Sequence, residues 1–142
     1  MTTYADTSFM VSRYLADVHS AECDRRMNSH PAIWNSPLNR SELAHALHQN
    51  VFWRNMSLSE VKSAWIDFED DCRIGIWTTI GFPDSAWTTS IALARQHGPT
   101  LGVRALDSLH VACAFELKAE RFWTFDQRQA RLAEAVGLNT SA

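Results

Sequence analysis

Short strand-like stretches alternate with segments of helical period along this sequence, and that alternation restricts the chain to parallel strands joined by helical crossovers. Thr2 to Ala5 is strand-like and ends at Asp6, Phe9 to Val18 repeats apolar residues at helical spacing, and a second helix covers His19 to Met27. Pro31 is expected to halt it, Ala32 to Trp34 reads as a short buried strand, and Asn35-Ser36-Pro37 as a turn. Helical period returns from Asn39 or Ser41 through His48. Ser57 and Glu60 have capping-box spacing and open a long helix to about Cys72. The β-branched stretch Ile74 to Ile80 is expected to be a buried strand, broken by Gly81 to Pro83. The next helix, Ala86 to Gln96, should stop at Gly98-Pro99. Arg104 to Lys118 is the most apolar helix, which implies burial on most faces. Arg121 to Phe125 is a strand ending at Asp126, Gln127 to Ala135 a final helix, and Gly137 its stop, with room for a short edge strand after it. The expected fold is a three-layer α/β/α sandwich around a short central parallel sheet.

With 142 residues, 46% of them hydrophobic and seven Phe and six Trp among these, the chain can bury the core of one domain and has too little length for two. That domain is expected to span 1–138, with 139–142 a flexible tail. Met1 to Tyr4 carries no basic residue and no run approaches the roughly 20 apolar residues of a membrane span, so a cytoplasmic protein without membrane contact is expected. Cys23, Cys72 and Cys113 are far apart and in no CxxC pattern, and Cys113 sits in an apolar run that reads as core.

In an open parallel sheet the functional crevice lies at the carboxyl ends of the strands. Asp6 and Asp126 each directly follow a strand-like stretch, while Asp107 and Glu42 lie in early helical turns. If those helices begin at the same sheet edge, the four side chains converge. Clustered carboxylates repel one another unless a cation neutralises them, and an all-oxygen donor set selects a hard ion such as Mg²⁺. Singly, each acid has an equally good structural account: Asp6 and Asp126 as helix N-caps, Asp107 and Glu42 as first-turn acids. A net charge of −3 is unusual for a nucleic-acid binder, although neutralising four carboxylates changes −3 to +1.

The local motifs carry more. Tyr4-Ala5-Asp6-Thr7-Ser8, Ser41-Glu42-Leu43, Arg104-Ala105-Leu106-Asp107-Ser108-Leu109-His110 and Thr124-Phe125-Asp126, in this order over nearly the whole chain, resemble the PIN-domain family, and within it the VapC-type toxin ribonucleases of type II toxin-antitoxin pairs. The resemblance implies a PIN-like fold, an Mg²⁺ site that also accepts Mn²⁺, and endonucleolytic cleavage of RNA. It also implies a homodimer inhibited by a cognate antitoxin. Asp6, Glu42, Asp107 and Asp126 match the family's acidic positions, with Asp6 and Asp107 the foremost direct ligands, Asp126 next, and Glu42 acting through water or as a proton acceptor. Thr7, Ser8 and Thr124 match neighbouring hydroxyl positions, where they either orient a carboxylate or make local turn bonds. The alternatives are a noncatalytic PIN-fold module that binds RNA or protein, and a PIN nuclease acting on DNA or in RNA processing.

Other constellations compete less well. Glu42, His45 and His48 form E-x-x-H-x-x-H, but a third ligand is missing and a solvated helix face accounts for them. Glu69-Asp70-Asp71 is expected at an exposed helix end. Ser108 and His110 stand two apart on a helix and do not face each other, which excludes a serine triad and leaves His110 as a packed or hydrogen-bonded core histidine. Arg13, Arg40, Arg54, Arg95 and Arg104 are candidates for an RNA path. The sequence is unusually rich in Trp around Trp65, Trp77 and Trp87, and these are core by default.

Overall fold

The computed structural model describes residues 1–29 and 32–141; the helix stop expected at Pro31 and the terminal Ala142 lie outside the described residues. Its elements run β1 (Thr3–Ala5), α1 (Thr7–Tyr14), α2 (Ser20–Asn28), β2 (Ile33–Asn35), α3 (Pro37–Phe52) and α4 (Leu58–Arg73). They continue through β3 (Trp77–Thr79), α5 (Ser85–Leu101), α6 (Ala105–Glu116), β4 (Arg121–Trp123) and α7 (Gln127–Ala135). All strand pairs are parallel and the sheet order is β3-β2-β1-β4, so β1 lies between β2 and β4. Alternation along the strands divides the core. Ala5, Ile33, Trp77 and Trp123 pack with apolar residues of α1 to α4, whereas Tyr4, Trp34 and Phe122 pack with those of α5 to α7. The expected three-layer α/β/α sandwich is thus present, and each wholly buried side chain, such as Phe9 or Leu132, contributes about 1.5–3 kcal/mol by leaving water.

Several boundaries differ from expectation for identifiable reasons. α1 begins at Thr7 because Asp6 caps it, accepting from the Phe9 amide at 3.0 Å, and it stops at Tyr14 where Leu15 turns extended. α3 begins at Pro37, inside what reads as a turn, since proline is pre-organised for a first helical position and the Asn39 carboxamide accepts from the Ser36 amide at 2.9 Å. The Ser57/Glu60 capping box opens α4 as expected, with bonds of 3.0 and 3.1 Å. The strand expected from Ile74 shrinks to Trp77–Thr79, because Gly75 (φ +87°) ends α4 with a bond from the Ile76 amide to the Asp71 carbonyl. α5 runs through Gly98-Pro99 to Leu101. A residue before proline is disfavoured in helical conformation by clashes of the ring with its amide and its Cβ; Gly98 lacks the second, and the real stop is Gly102 at φ +63°.

β4 ends at Trp123, not Phe125, and the Phe125 amide donates instead to Ser8 Oγ at 3.0 Å. Asp126 therefore caps α7 three residues beyond the strand. Beyond Gly137, Asn139 forms a parallel bridge with Arg121, its carbonyl accepting from Phe122 and its amide donating to Glu120. Asp71 is no exposed helix end: Arg13 Nε and the Tyr14 hydroxyl donate to it at 2.8 and 2.5 Å, tying α1 to α4. Trp77 is buried but Trp87 is 57% exposed. Cys113 and Cys23 are core, and burial pushes their thiols up to about 11 and about 12. No helix among the described residues is long and apolar enough to cross a membrane.

Candidate active site

Because the strands are parallel, the chain leaves β1, β2 and β4 at one edge of the sheet, and the residues that follow them meet there. A cleft of about 860 Å³ opens at this edge. Asp6, Glu42, Asp107 and Asp126 all line it, as do Thr7 and Ser8. Thr124 lies just behind, its hydroxyl 3.1 Å from Ser8 Oγ and accepting from the Asp126 amide at 3.0 Å. For three of the acids both readings hold together: Asp6 and Asp126 are N-caps, of α1 and α7, and Asp107 occupies the first turn of α6, yet all line the same space; Glu42 is no first-turn acid, because α3 already begins at Pro37 and places it in the second turn.

The environment of each carboxylate differs. Asp6 is 4% exposed and receives the Ser8 hydroxyl at 2.8 Å as well as the Phe9 amide. Burial raises its carboxyl to about 6, against the opposing pull of His110 and of these hydrogen bonds. Glu42 projects from α3. Burial works against its charge, but the hydrogen bond and attraction of His110, with the Thr7 hydroxyl at 2.9 Å, outweigh it and hold the carboxyl below its usual range. Asp107 accepts from the Arg104 amide at 3.3 Å and from Arg104 Nε at 3.4 Å. Asp126 accepts from the Gln129 amide at 2.9 Å, and Gln129, itself buried, donates through Nε2 to the Asp107 carbonyl at 3.3 Å.

His110 is buried and hydrogen-bonded, as the sequence implies, but its partners make it part of the site. Nε2 meets Glu42 Oε1, and since Glu42 is an acceptor the proton of that bond resides on His110. Nδ1 lies 2.9 Å from the Tyr4 hydroxyl, which also reaches Ser36 Oγ at 3.1 Å and Asn39 Oδ1 at 3.0 Å. A polar chain thus runs beneath the cleft from Asn39 through Tyr4 and His110 to Glu42. The sequence carries one signal for it: His110 follows Asp107 by three residues, so both side chains lie on one face of α6.

The competing constellations fall away. His45 and His48 are exposed and place Nδ1 against the carbonyls of Ser41 and Ala44 on their own helix. Of the five arginines considered for an RNA path, Arg104 lines the cleft; Arg13 is paired with Asp71, and Arg40 with Glu69 while lying over the Trp65 ring.

A short parallel sheet between two helical layers, with four carboxylates facing one cleft at the strands' carboxyl edge, defines an α/β/α protein with an acidic polar site. Residues 3–135 match the PIN domain family, and the chain belongs to it. Its fold is shared by VapC20 of Mycobacterium tuberculosis, described as a sarcin-ricin loop cleaving toxin, at a TM-score of 0.70 and 15% identity over 92% of this chain and 94% of that one. FitAcB from Neisseria gonorrhoeae aligns at a TM-score of 0.74 and 12% identity, covering 99% and 97% of the two chains. VapBC2 from Rickettsia felis, bound to a DNA fragment from their promoter, aligns at 0.69 and 14%, covering 99% and 98%. A search of curated proteins finds no match.

Proposed function

We propose that this chain is a divalent-metal-dependent endoribonuclease that hydrolyses RNA phosphodiester bonds and acts as the toxin of a toxin-antitoxin pair. One observation carries the reading: carboxylates from four elements far apart in sequence line a single cleft. Asp6 supports a cation there, because its upward shift is that of an anion buried without sufficient balancing charge. The donors are all oxygen, which fits Mg²⁺ or Mn²⁺. Among the described residues no three of His, Cys, Asp and Glu stand close enough to form a ready-made cage. Mg²⁺ commonly binds through one or two carboxylates and keeps several waters. Asp6 and Asp107 would hold it directly, with Asp126 beside them. The chemistry supplied by the bound ion is activation of water and stabilisation of charge on the phosphodiester.

The remaining work belongs to the chain. Ser8 holds Asp6 in place, and Thr124 braces both Ser8 and Asp126. Thr7 and His110 keep Glu42 ionised and oriented, so that it accepts a hydrogen bond from water in the cleft. The motif resemblance to VapC-type toxins supports RNA as the substrate, a cognate antitoxin as partner and a homodimer as the assembly. The test is cleavage of a mixed RNA pool with Mg²⁺, with EDTA, and by Asp6→Asn and Asp107→Asn. EDTA should stop cutting, and each substitution should lower the rate by at least about a hundredfold with circular dichroism unchanged. Undiminished cutting by both variants would falsify the reading.

A further inference from the structure

The cleft itself is acidic, so the substrate's phosphates need cationic groups beside it. Five of the eleven arginines are paired with carboxylates elsewhere: Arg13 with Asp71, Arg25 and Arg26 with Glu22, Arg40 with Glu69, and Arg73 with Asp70. A second concavity, of about 450 Å³, is lined by Arg104, Asp126, Gln127, Arg128 and Arg131. Arg104 and Asp126 line the acidic cleft as well, so the two hollows adjoin at that shared wall. Arg104 touches Asp107 with Nε, yet its side chain remains 74% exposed. Arg128 donates to the Gly102 carbonyl at 3.3 Å, a bond that fastens it to the turn between α5 and α6. Arg131 follows three residues later on the same face of α7 and is exposed. Three guanidinium groups from two elements therefore surround a hollow whose one carboxylate, Asp126, is a wall it shares with the cleft.

We infer that Arg104, Arg128 and Arg131 form a phosphate-binding subsite that holds the substrate strand beside the bond cut. Planar guanidinium groups match phosphate oxygens in paired hydrogen bonds, and such bonds position a strand without reading its bases. The ligand is the sugar-phosphate backbone of single-stranded RNA, in keeping with a hollow that adjoins the cleft. The inference rests on the nuclease reading of that cleft.

Binding is measured separately from cutting. Fluorescence anisotropy of a labelled oligouridylate is followed against NaCl in the Asp107→Asn background with Mg²⁺, with and without Arg128→Ala and Arg131→Ala. Arg25→Ala with Arg73→Ala serves as a control of equal charge change. The double substitution in the hollow should weaken binding several-fold and flatten the log–log salt dependence by roughly 1.4, at about 0.7 for each phosphate no longer neutralised. The control should leave the slope intact. In the otherwise wild-type chain the same pair should raise KM and spare kcat.

An unchanged slope, an equal effect from the control, or no detectable RNA binding overturns the subsite. So does loss of binding to an oligoglutamate peptide with RNA binding retained, which would make the hollow a docking surface for an acidic protein segment. An arginine-dependent slope in a chain that cuts no RNA would uphold the subsite while overturning the nuclease reading.

Discussion

Asp6 sits with a carboxyl raised to about 6, mainly by burial, so in the metal-free protein its ionisation opposes folding. The sign follows from linkage: the folded pKa lies above the ordinary value, so the contribution is fully present below about pH 4 and is lost as pH rises through about 6. In EDTA, urea denaturation should therefore show stability falling from pH 5 to pH 8 in the wild type, and a flatter profile in Asp6→Asn. At pH 8 the variant should gain on the order of 1–3 kcal/mol over the wild type. Added Mg²⁺ should stabilise the wild type more at pH 8 than at pH 5, since protons compete for the same oxygens. Parallel pH profiles for the two proteins would remove this account of Asp6. His110 is the other residue on which much depends. His110→Ala leaves Glu42 and the Tyr4 hydroxyl short of a partner in a buried setting and should cost about 1–3 kcal/mol in denaturation. His110→Gln should recover part of that cost. The four acids were legible as a set from their motifs, but His110's attachment to Glu42 was not, because 68 residues separate them and hydrogen bonding across the fold leaves no local trace.

At the scale of elements, periodicity located each helix and strand, while the boundaries were decided by backbone chemistry that composition conceals. Gly75 belongs to a β-branched run by its neighbours, yet its positive φ makes it the stop of α4. Gly98 looks like a helix end before proline, and by lacking a Cβ it lets α5 continue for another turn. Gly102 performs the stop instead, in a left-handed conformation with its amide bonded to the Gly98 carbonyl at 2.8 Å. A methyl group there would meet no neighbour, so the cost of Gly102→Ala is conformational alone: about 1–2 kcal/mol. Thermal unfolding should show a lower midpoint for this variant. An unchanged midpoint would mean that the turn relaxes. The same turn carries the carbonyl that holds Arg128, so a shift in it should reach the arginine hollow.

For the molecule as a whole, the layering was readable from the alternation of strands and helices, and the structure adds that Ala5, Ile33 and Trp123 turn to one helical layer and Tyr4, Trp34 and Phe122 to the other. What the sequence left open was where the positive charge lies. A net −3 hides an acidic cleft, arginines paired off on the outer helices, and a cationic hollow at the cleft's lip.

The pairing of β1 with β4 has a consequence in time. The sheet's first strand receives its second neighbour only when Arg121–Trp123 exist, and the last of the four carboxylates, Asp126, follows them by three residues. A growing chain on the ribosome therefore carries three quarters of an acidic cleft with one side of β1 unpaired. The cleft gains its fourth carboxylate and β1 its second neighbour in the same late step, so the acidic wall and the closed sheet arise together.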